Sequence, residues 1–92
     1  MIITKYDTKN YRKLFLSPYV ETYFDIKKQT ACFIQYLFGE KISLLVEHST
    51  YTKMIDLLTQ GVDETRFKEF LSSNNLPEEL LIENLLGRCI IE

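Results

Sequence analysis

The chain has 92 residues, the length of a single domain. Apolar residues make up 46% of it and aromatic residues 13%, a composition that excludes a largely disordered chain. The net charge of −2 is unevenly spread, because residues 1–28 carry six Lys/Arg against three Asp/Glu and residues 29–92 carry five against ten. An acidic folded part disfavours DNA binding, since affinity for duplex DNA comes largely from Lys and Arg at the phosphates.

The sequence carries no membrane or secretion signal. No apolar run is long enough to span a bilayer, and no secretory signal follows Met1. We therefore expect a cytoplasmic protein without a membrane partner. Cys32 and Cys89 both lie in apolar stretches, so we expect two reduced core residues rather than a metal or redox pair.

The first half of the chain predicts three strands. Residues 1–16 are taken as an N-terminal extension and residues 17–92 as the folded domain, with a break at Ser17-Pro18. Apolar and polar residues alternate in the first strand, with Val20, Thr22, Phe24 and Ile26 on its inner face. The second strand covers residues 30–38 and the third covers residues 41–47, KISLLVE, with Ile42, Leu44 and Val46 on its inner face. A polar turn at residues 27–29 and a two-residue hairpin turn at Gly39-Glu40 connect them.

The second half predicts three helices. The first is capped by Ser49 or Thr50 and ends at Gly61, and Asp63 caps the second. Pro77 begins the third helix, which ends at Gly87. The predicted fold is α+β, in the order βββααα: a three-stranded antiparallel sheet followed by a three-helix bundle resembling a winged helix-turn-helix.

Residues typical of catalysis are scarce. His48 is the only histidine, and the chain lacks a phosphate loop, a dinucleotide fingerprint and an HExxH motif. Glu79 and Glu83 share a helix face, which we interpret as a solvated surface. The sequence therefore predicts a protein that is not an enzyme and has no cofactor.

Residues 41–92 resemble the PqqD-like family, the peptide-recognition domains of ribosomal peptide natural-product biosynthesis. The segments that carry the resemblance are KISLLVEHSTYTKMIDLLTQG, VDETRFKEFLSSN and PEELLIENLLGRCIIE. They share the family's rhythm of a strand, a helix ending near Leu-Leu-x-x-Gly, a short helix, and a helix ending near Ile-Ile. Residues 1–16 exceed what the family needs, and HST stands where an Asn-Ser or Asn-Thr pair is usual.

The resemblance implies a non-catalytic peptide chaperone. Such a domain binds the leader of a precursor peptide by β-strand addition and presents it to a maturase enzyme, often a radical S-adenosylmethionine enzyme. The domain itself holds no iron–sulfur cluster.

The strand and helix patterns agree on where a peptide could bind. If the second strand is central, the third strand has a free edge, and an extended peptide could pair with it beside the third helix. We expect Leu80, Ile82 and Leu86 to face the core. The predicted peptide-binding residues are Lys41, Ser43, Leu45, Glu47, Leu81, Asn84, Leu85 and Arg88.

Other functions stay open at this point. The same edge suits a protein–protein adaptor or an immunity-type interaction domain, and dimerisation through the third strand is one form of this; we expect a monomer or a weak homodimer. A winged-helix DNA-binding protein is disfavoured, because the third helix carries Glu78, Glu79 and Glu83 and has no Lys or Arg before Arg88. A nucleic-acid partner is therefore not expected.

Overall fold

The structure, a computed structural model, describes residues 13–92; most of the predicted N-terminal extension lies outside this range. A three-stranded antiparallel sheet is followed by three helices, which confirms the predicted α+β class and the order of these elements. Two further short strands, Lys13–Leu14 and Val62–Asp63, lie outside the predicted three-stranded sheet. The elements in chain order are β1 (Lys13–Leu14), β2 (Val20–Asp25), β3 (Thr30–Gln35), β4 (Glu40–Leu45), α1 (His48–Gln60), β5 (Val62–Asp63), α2 (Glu64–Ser73) and α3 (Glu78–Gly87).

β3 is the central strand of the sheet, with β2 on one side and β4 on the other. Both pairs are antiparallel, with Phe33 opposite Thr22 in one and opposite Ile42 in the other. The predicted inner faces of β2 and β4 are confirmed except at one position. Ile26 lies in the loop after β2 and is exposed, because the strand ends at Asp25.

Both loops of the sheet contain four residues and end on a residue with positive φ, 52° at Gln29 and 67° at Gly39. The predicted two-residue turn at Gly39-Glu40 is wrong, because Glu40 pairs with Gln35 inside the ladder. Residues 36–38 are β-prone by type and were assigned to the second strand. The chain turns earlier because glycine takes the left-handed conformation at the end of the longer loop without steric cost.

α1 ends at Gly61, as predicted. The N–H of Gly61 donates to the carbonyl of Leu57 at 3.0 Å, and its φ is 93°. A Cβ atom at this position would overlap the ring of Phe15. Gly61 is therefore required for backbone conformation and for space.

α2 and α3 end in the same hydrogen-bonded motif. At α3, the N–H of Cys89 donates to the carbonyl of Leu86 at 3.0 Å, and the N–H of Ile90 donates to the carbonyl of Leu85 at 2.9 Å. In this motif, the residue after the helix takes the left-handed backbone conformation. That residue is Asn75 (φ 61°) after α2 and Cys89 (φ 58°) after α3.

The two cysteines have different environments. Both are free thiols, and Cys32 is buried on the outer face of the sheet beneath Tyr23 and Ser43, its ladder neighbours. A hydrogen bond to Cys32 raises the pKa of Tyr23. Cys89 is exposed, so its predicted core position is wrong. Its left-handed backbone turns the side chain out while Ile90 enters the core.

The two ends of the described chain are joined to each other and to the core. Leu14 of β1 is fully buried, and β1 pairs with β5. Phe15 and Glu92 exchange two main-chain hydrogen bonds of 2.8 Å. Residues 13–16 therefore belong to the fold, and the boundary predicted at residue 17 falls inside it.

One buried polar side chain connects three segments of the chain. The Nε2 of Gln35 donates to the carbonyl of Cys89 at 2.7 Å and to the hydroxyl of Ser17 at 3.4 Å, while its Oε1 accepts the N–H of Leu37 at 2.9 Å. Gln35 is 1% exposed. It joins the end of β3 to the N-terminal segment, the C-terminal tail and the loop before β4.

Candidate functional site

β4 has a free edge in the part of the chain that the structure describes, since its only strand neighbour there is β3. The N–H of Val46 donates to the carbonyl of Gln29 at 3.1 Å, so the main-chain groups of even-numbered residues point toward β3. These directions alternate along an antiparallel strand. The N–H and C=O groups of Lys41, Ser43 and Leu45 therefore point away from the sheet and can pair with another strand.

The predicted edge residues Lys41, Ser43, Leu45 and Glu47 are all exposed. Leu45 is 79% exposed, the highest value among the large apolar side chains that the structure describes. Glu47 is the N-cap residue of α1, and its carbonyl accepts the N–H of Tyr51 at 3.0 Å. At Glu47, the N–H is thus the main-chain group still available to a partner strand.

The intervening residues Ile42, Leu44 and Val46 are half-buried and pack against the core. They lie at its margin because none of the strands in residues 13–92 covers the far side of β4. An added strand would cover these residues on the inner face and Leu45 on the outer face. Every second side chain of that strand would therefore meet an apolar surface.

The residues that flank α3 lie near the two ends of β4. At one end, Nη1 of Arg88 donates to Oε1 of Glu40 at 2.8 Å. At the other end, Leu76 and Val46 line the same open cavity of about 410 Å³. Arg88, just after α3, and Leu76, just before it, therefore lie near opposite ends of β4.

The predicted orientation of α3 is wrong at three leucines. Leu81 and Leu85 were expected on the surface but are 5% and 0% exposed, whereas Leu80 was expected in the core and is 61% exposed. The helix is apolar around most of its circumference, so periodicity could not identify the buried face. Leu81 and Leu85 cannot meet a bound peptide without opening the core.

Asn84 and Arg88 remain at the surface beside Leu80. The Nδ2 of Asn84 donates to the carbonyl of Leu80 at 2.9 Å. Arg88 is half-buried, and its Nε is shielded from solvent with no hydrogen-bond partner in residues 13–92.

A second exposed apolar surface lies at the tip of the loop between β3 and β4. Tyr36, Leu37 and Phe38 are each more than half exposed. Sequence reasoning missed this surface because it placed these residues in a strand. The sequence signal that could have revealed it is Gly39, since glycine readily takes a positive φ. In the structure Gly39 occupies the last position of the loop rather than the first position of a two-residue turn.

His48 contacts an aromatic ring, and two acidic residues of α3 line an open cavity. His48 is exposed and lies edge-on to Phe24, with ring centroids 5.0 Å apart. Glu79 and Glu83 line an open cavity between α2 and α3 that also includes Lys68. Within residues 13–92, no group of three or more His, Cys, Asp or Glu side chains could hold a metal ion.

Comparisons with known protein families, with curated proteins and with solved structures find no match. Among residues 13–92, none of the helices combines the length and the apolar character needed to cross a membrane. The candidate site is defined by its geometry alone, and it consists of the free edge of β4 and the adjoining surface of α3.

Proposed function

We propose that this chain is a non-catalytic peptide chaperone that binds an extended peptide as an added strand along β4 and presents it to a modifying enzyme. The observation that carries the proposal is the arrangement of the β4 edge. Free main-chain groups at Lys41, Ser43 and Leu45 alternate with half-buried apolar residues, Ile42 and Leu44. Main-chain hydrogen bonds would supply affinity, and the alternating side-chain contacts would supply selectivity.

The resemblance to PqqD-like domains favours the leader of a ribosomally synthesised precursor as the peptide. The peptide would lie between β4 and α3, and Leu80, Asn84 and Arg88 would form its helical wall in place of the buried leucines. In this assignment the helices form a bundle of the winged helix-turn-helix type that supports the sheet. Ordering a flexible leader offsets part of the binding energy, so we expect micromolar affinity.

A chaperone also needs a surface for the enzyme that receives the peptide. The tip formed by Tyr36, Leu37 and Phe38 is exposed and apolar, and the hydrogen bond from Leu37 to buried Gln35 fixes its base. Exposed apolar patches of this kind are characteristic of protein contacts. We assign this tip to the maturase, for which a radical S-adenosylmethionine enzyme is the leading candidate by family resemblance.

Strand addition can be tested by removing one edge donor. The N–H of Ser43 points away from β3, so Ser43→Pro leaves the ladder to β3 intact and removes a hydrogen bond to the added strand. Ser43→Ala is the matched control, because both variants lose the contact between the Ser43 hydroxyl and the Cys32 thiol. Binding of a fluorescently labelled leader, taken from a precursor encoded beside this gene, is measured by anisotropy.

We expect Ser43→Pro to weaken binding about tenfold or more, the equivalent of one hydrogen bond and a steric conflict. Ser43→Ala should bind like the unmodified chain, and both variants should unfold at similar temperatures. Equal affinity of the two variants would exclude strand addition at β4. Absence of saturable binding by the folded, unmodified chain would remove the peptide-chaperone function itself.

A further inference from the structure

We propose that a second copy of this chain pairs with the same edge, β4 against β4 and antiparallel, with the two-fold axis passing beside Leu44. The two sheets would then form one continuous sheet across the dimer. The pairing follows from the edge itself and does not depend on peptide binding. Its consequence, that self-association closes the peptide site, rests on the proposed function.

Main-chain directions restrict how two β4 strands can meet. The outward N–H and C=O groups belong to odd-numbered residues, so an antiparallel partner must place odd residues opposite odd residues. Substantial overlap then leaves three registers, centred on Ser43, Leu44 or Leu45. A shift by a single residue would put inward-pointing groups opposite outward-pointing ones.

Charge selects among these registers. Centring on Leu44 places Lys41 opposite Glu47 of the second copy, and symmetry makes this pair twice. Centring on Ser43 places Lys41 opposite Leu45 instead, and centring on Leu45 shortens the overlap. A parallel pair in matching register would place Lys41 beside its own copy. Opposite charges across a strand pair stabilise it and like charges destabilise it, so the register centred on Leu44 is favoured.

Apolar contacts support the same register. Leu45, 79% exposed in the single chain, would face Ser43 of the second copy and lie diagonal to its Leu45. On the inner face, Leu44 would meet its own copy and Ile42 would meet Val46. These side chains are at the margin of the core in one chain and would become interior in the pair.

Pairing and peptide binding would be mutually exclusive, because both use the outward main-chain groups of Lys41, Ser43 and Leu45. Peptide would compete with the second copy for the edge. High protein concentration would then lower the apparent peptide affinity, and saturating peptide would dissociate the dimer. Self-pairing would also protect an exposed strand edge from non-specific association in the absence of peptide.

The test is sedimentation velocity of the full chain from low micromolar to near-millimolar concentration. We expect reversible dimerisation for the unmodified chain. Lys41→Glu and Glu47→Lys should each weaken it about tenfold or more, since each places like charges opposite one another twice. Mixing the two variants should restore a heterodimer, because every position that carries a reversed charge then faces its complement.

Arg66→Glu is the control for net charge. Arg66 is exposed on α2 and lines a cavity with Gly61 and Lys13, among contacts separate from those of β4. It changes the net charge by the same amount as Lys41→Glu, and we expect it to dimerise like the unmodified chain. Circular dichroism of each variant verifies that the fold is retained.

A monomer at every concentration would overturn the self-pairing. This register would be overturned if Lys41→Glu and Glu47→Lys dimerised as well as the unmodified chain. It would also be overturned if the mixture of the two variants failed to associate. These results are independent of the peptide experiment, because sedimentation is performed without peptide. A dimer that forms as described but is not displaced by a peptide that binds would retain the pairing and reject the competition.

Discussion

Replacing Gln35 with Met is expected to destabilise the fold through lost hydrogen bonds at nearly constant side-chain volume. Gln35 is 1% exposed and makes hydrogen bonds to Cys89 (2.7 Å), Leu37 (2.9 Å) and Ser17 (3.4 Å). Met has a similar length and no strong donor or acceptor. The substitution therefore leaves the carbonyl of Cys89 and the N–H of Leu37 without their partners.

The expected loss is about 2–3 kcal/mol. A buried polar group deprived of its partner costs roughly 1–3 kcal/mol, and the exposed loop at Leu37 lets water satisfy one of the two groups in part. For a domain of this size, a loss of that magnitude corresponds to a decrease in Tm of about 10–20 °C. Chemical denaturation and thermal unfolding followed by circular dichroism measure both quantities.

The matched control is Gln29→Met. The Nε2 of Gln29 donates to the carbonyl of Ile26 at 3.0 Å on an exposed loop, so the same chemical change there should cost less than about 0.5 kcal/mol. Hydrogen exchange should also show faster opening at Leu37 in Gln35→Met only. Equal stability of the two variants would refute the assignment of Gln35 as the connection between these segments.

Three further predictions concern α3 and the sheet. Leu85→Ala should cost about 2–5 kcal/mol and Leu80→Ala less than about 0.5 kcal/mol in denaturant unfolding, and the reverse order would contradict the helix orientation. Cys89→Gly should stabilise the fold by about 0.5–1 kcal/mol, because glycine accepts the left-handed conformation at that position; a loss of stability would argue against it. Tyr36 donates to Glu21 at 2.6 Å, and this hydrogen bond raises its pKa above the ordinary value near 10. The associated stabilisation is present below pH 10 and is lost as the pH rises through the raised pKa. Glu21→Ala removes the acceptor and should lower the pKa in an ultraviolet difference titration, and an unchanged pKa would exclude the hydrogen bond as its cause.

Local sequence patterns predicted the structure correctly where one residue type determines the backbone conformation or where one face of an element is clearly apolar. Alternation in β2 and β4 assigned Phe24 and Leu44 to the inner face and Leu45 to the outer face, as observed. Gly61 correctly marked the end of α1. These features depend on residues near one another in the chain, which is why the free edge of β4 could be anticipated.

Local patterns failed where several arrangements had similar local preference. The β-prone residues Tyr36 and Phe38 fit a strand as well as a loop, and the pairing of Gln35 with Glu40 decided between them. Leu14 gave no sign of its burial, because its partner strand β5 lies far along the chain.

The sequence by itself therefore determined the succession of three strands and three helices and the inward and outward faces of the edge strand. The periods of two and of 3.6 residues are properties of the local backbone, and the residues that define them are adjacent or one turn apart. Only the tertiary structure decided which side of α3 is buried, placing Leu81 and Leu85 inside and Leu80 outside. A helix that is apolar nearly all round has no preferred inner face until its neighbours supply one, and the surface it leaves beside β4 is set by that packing.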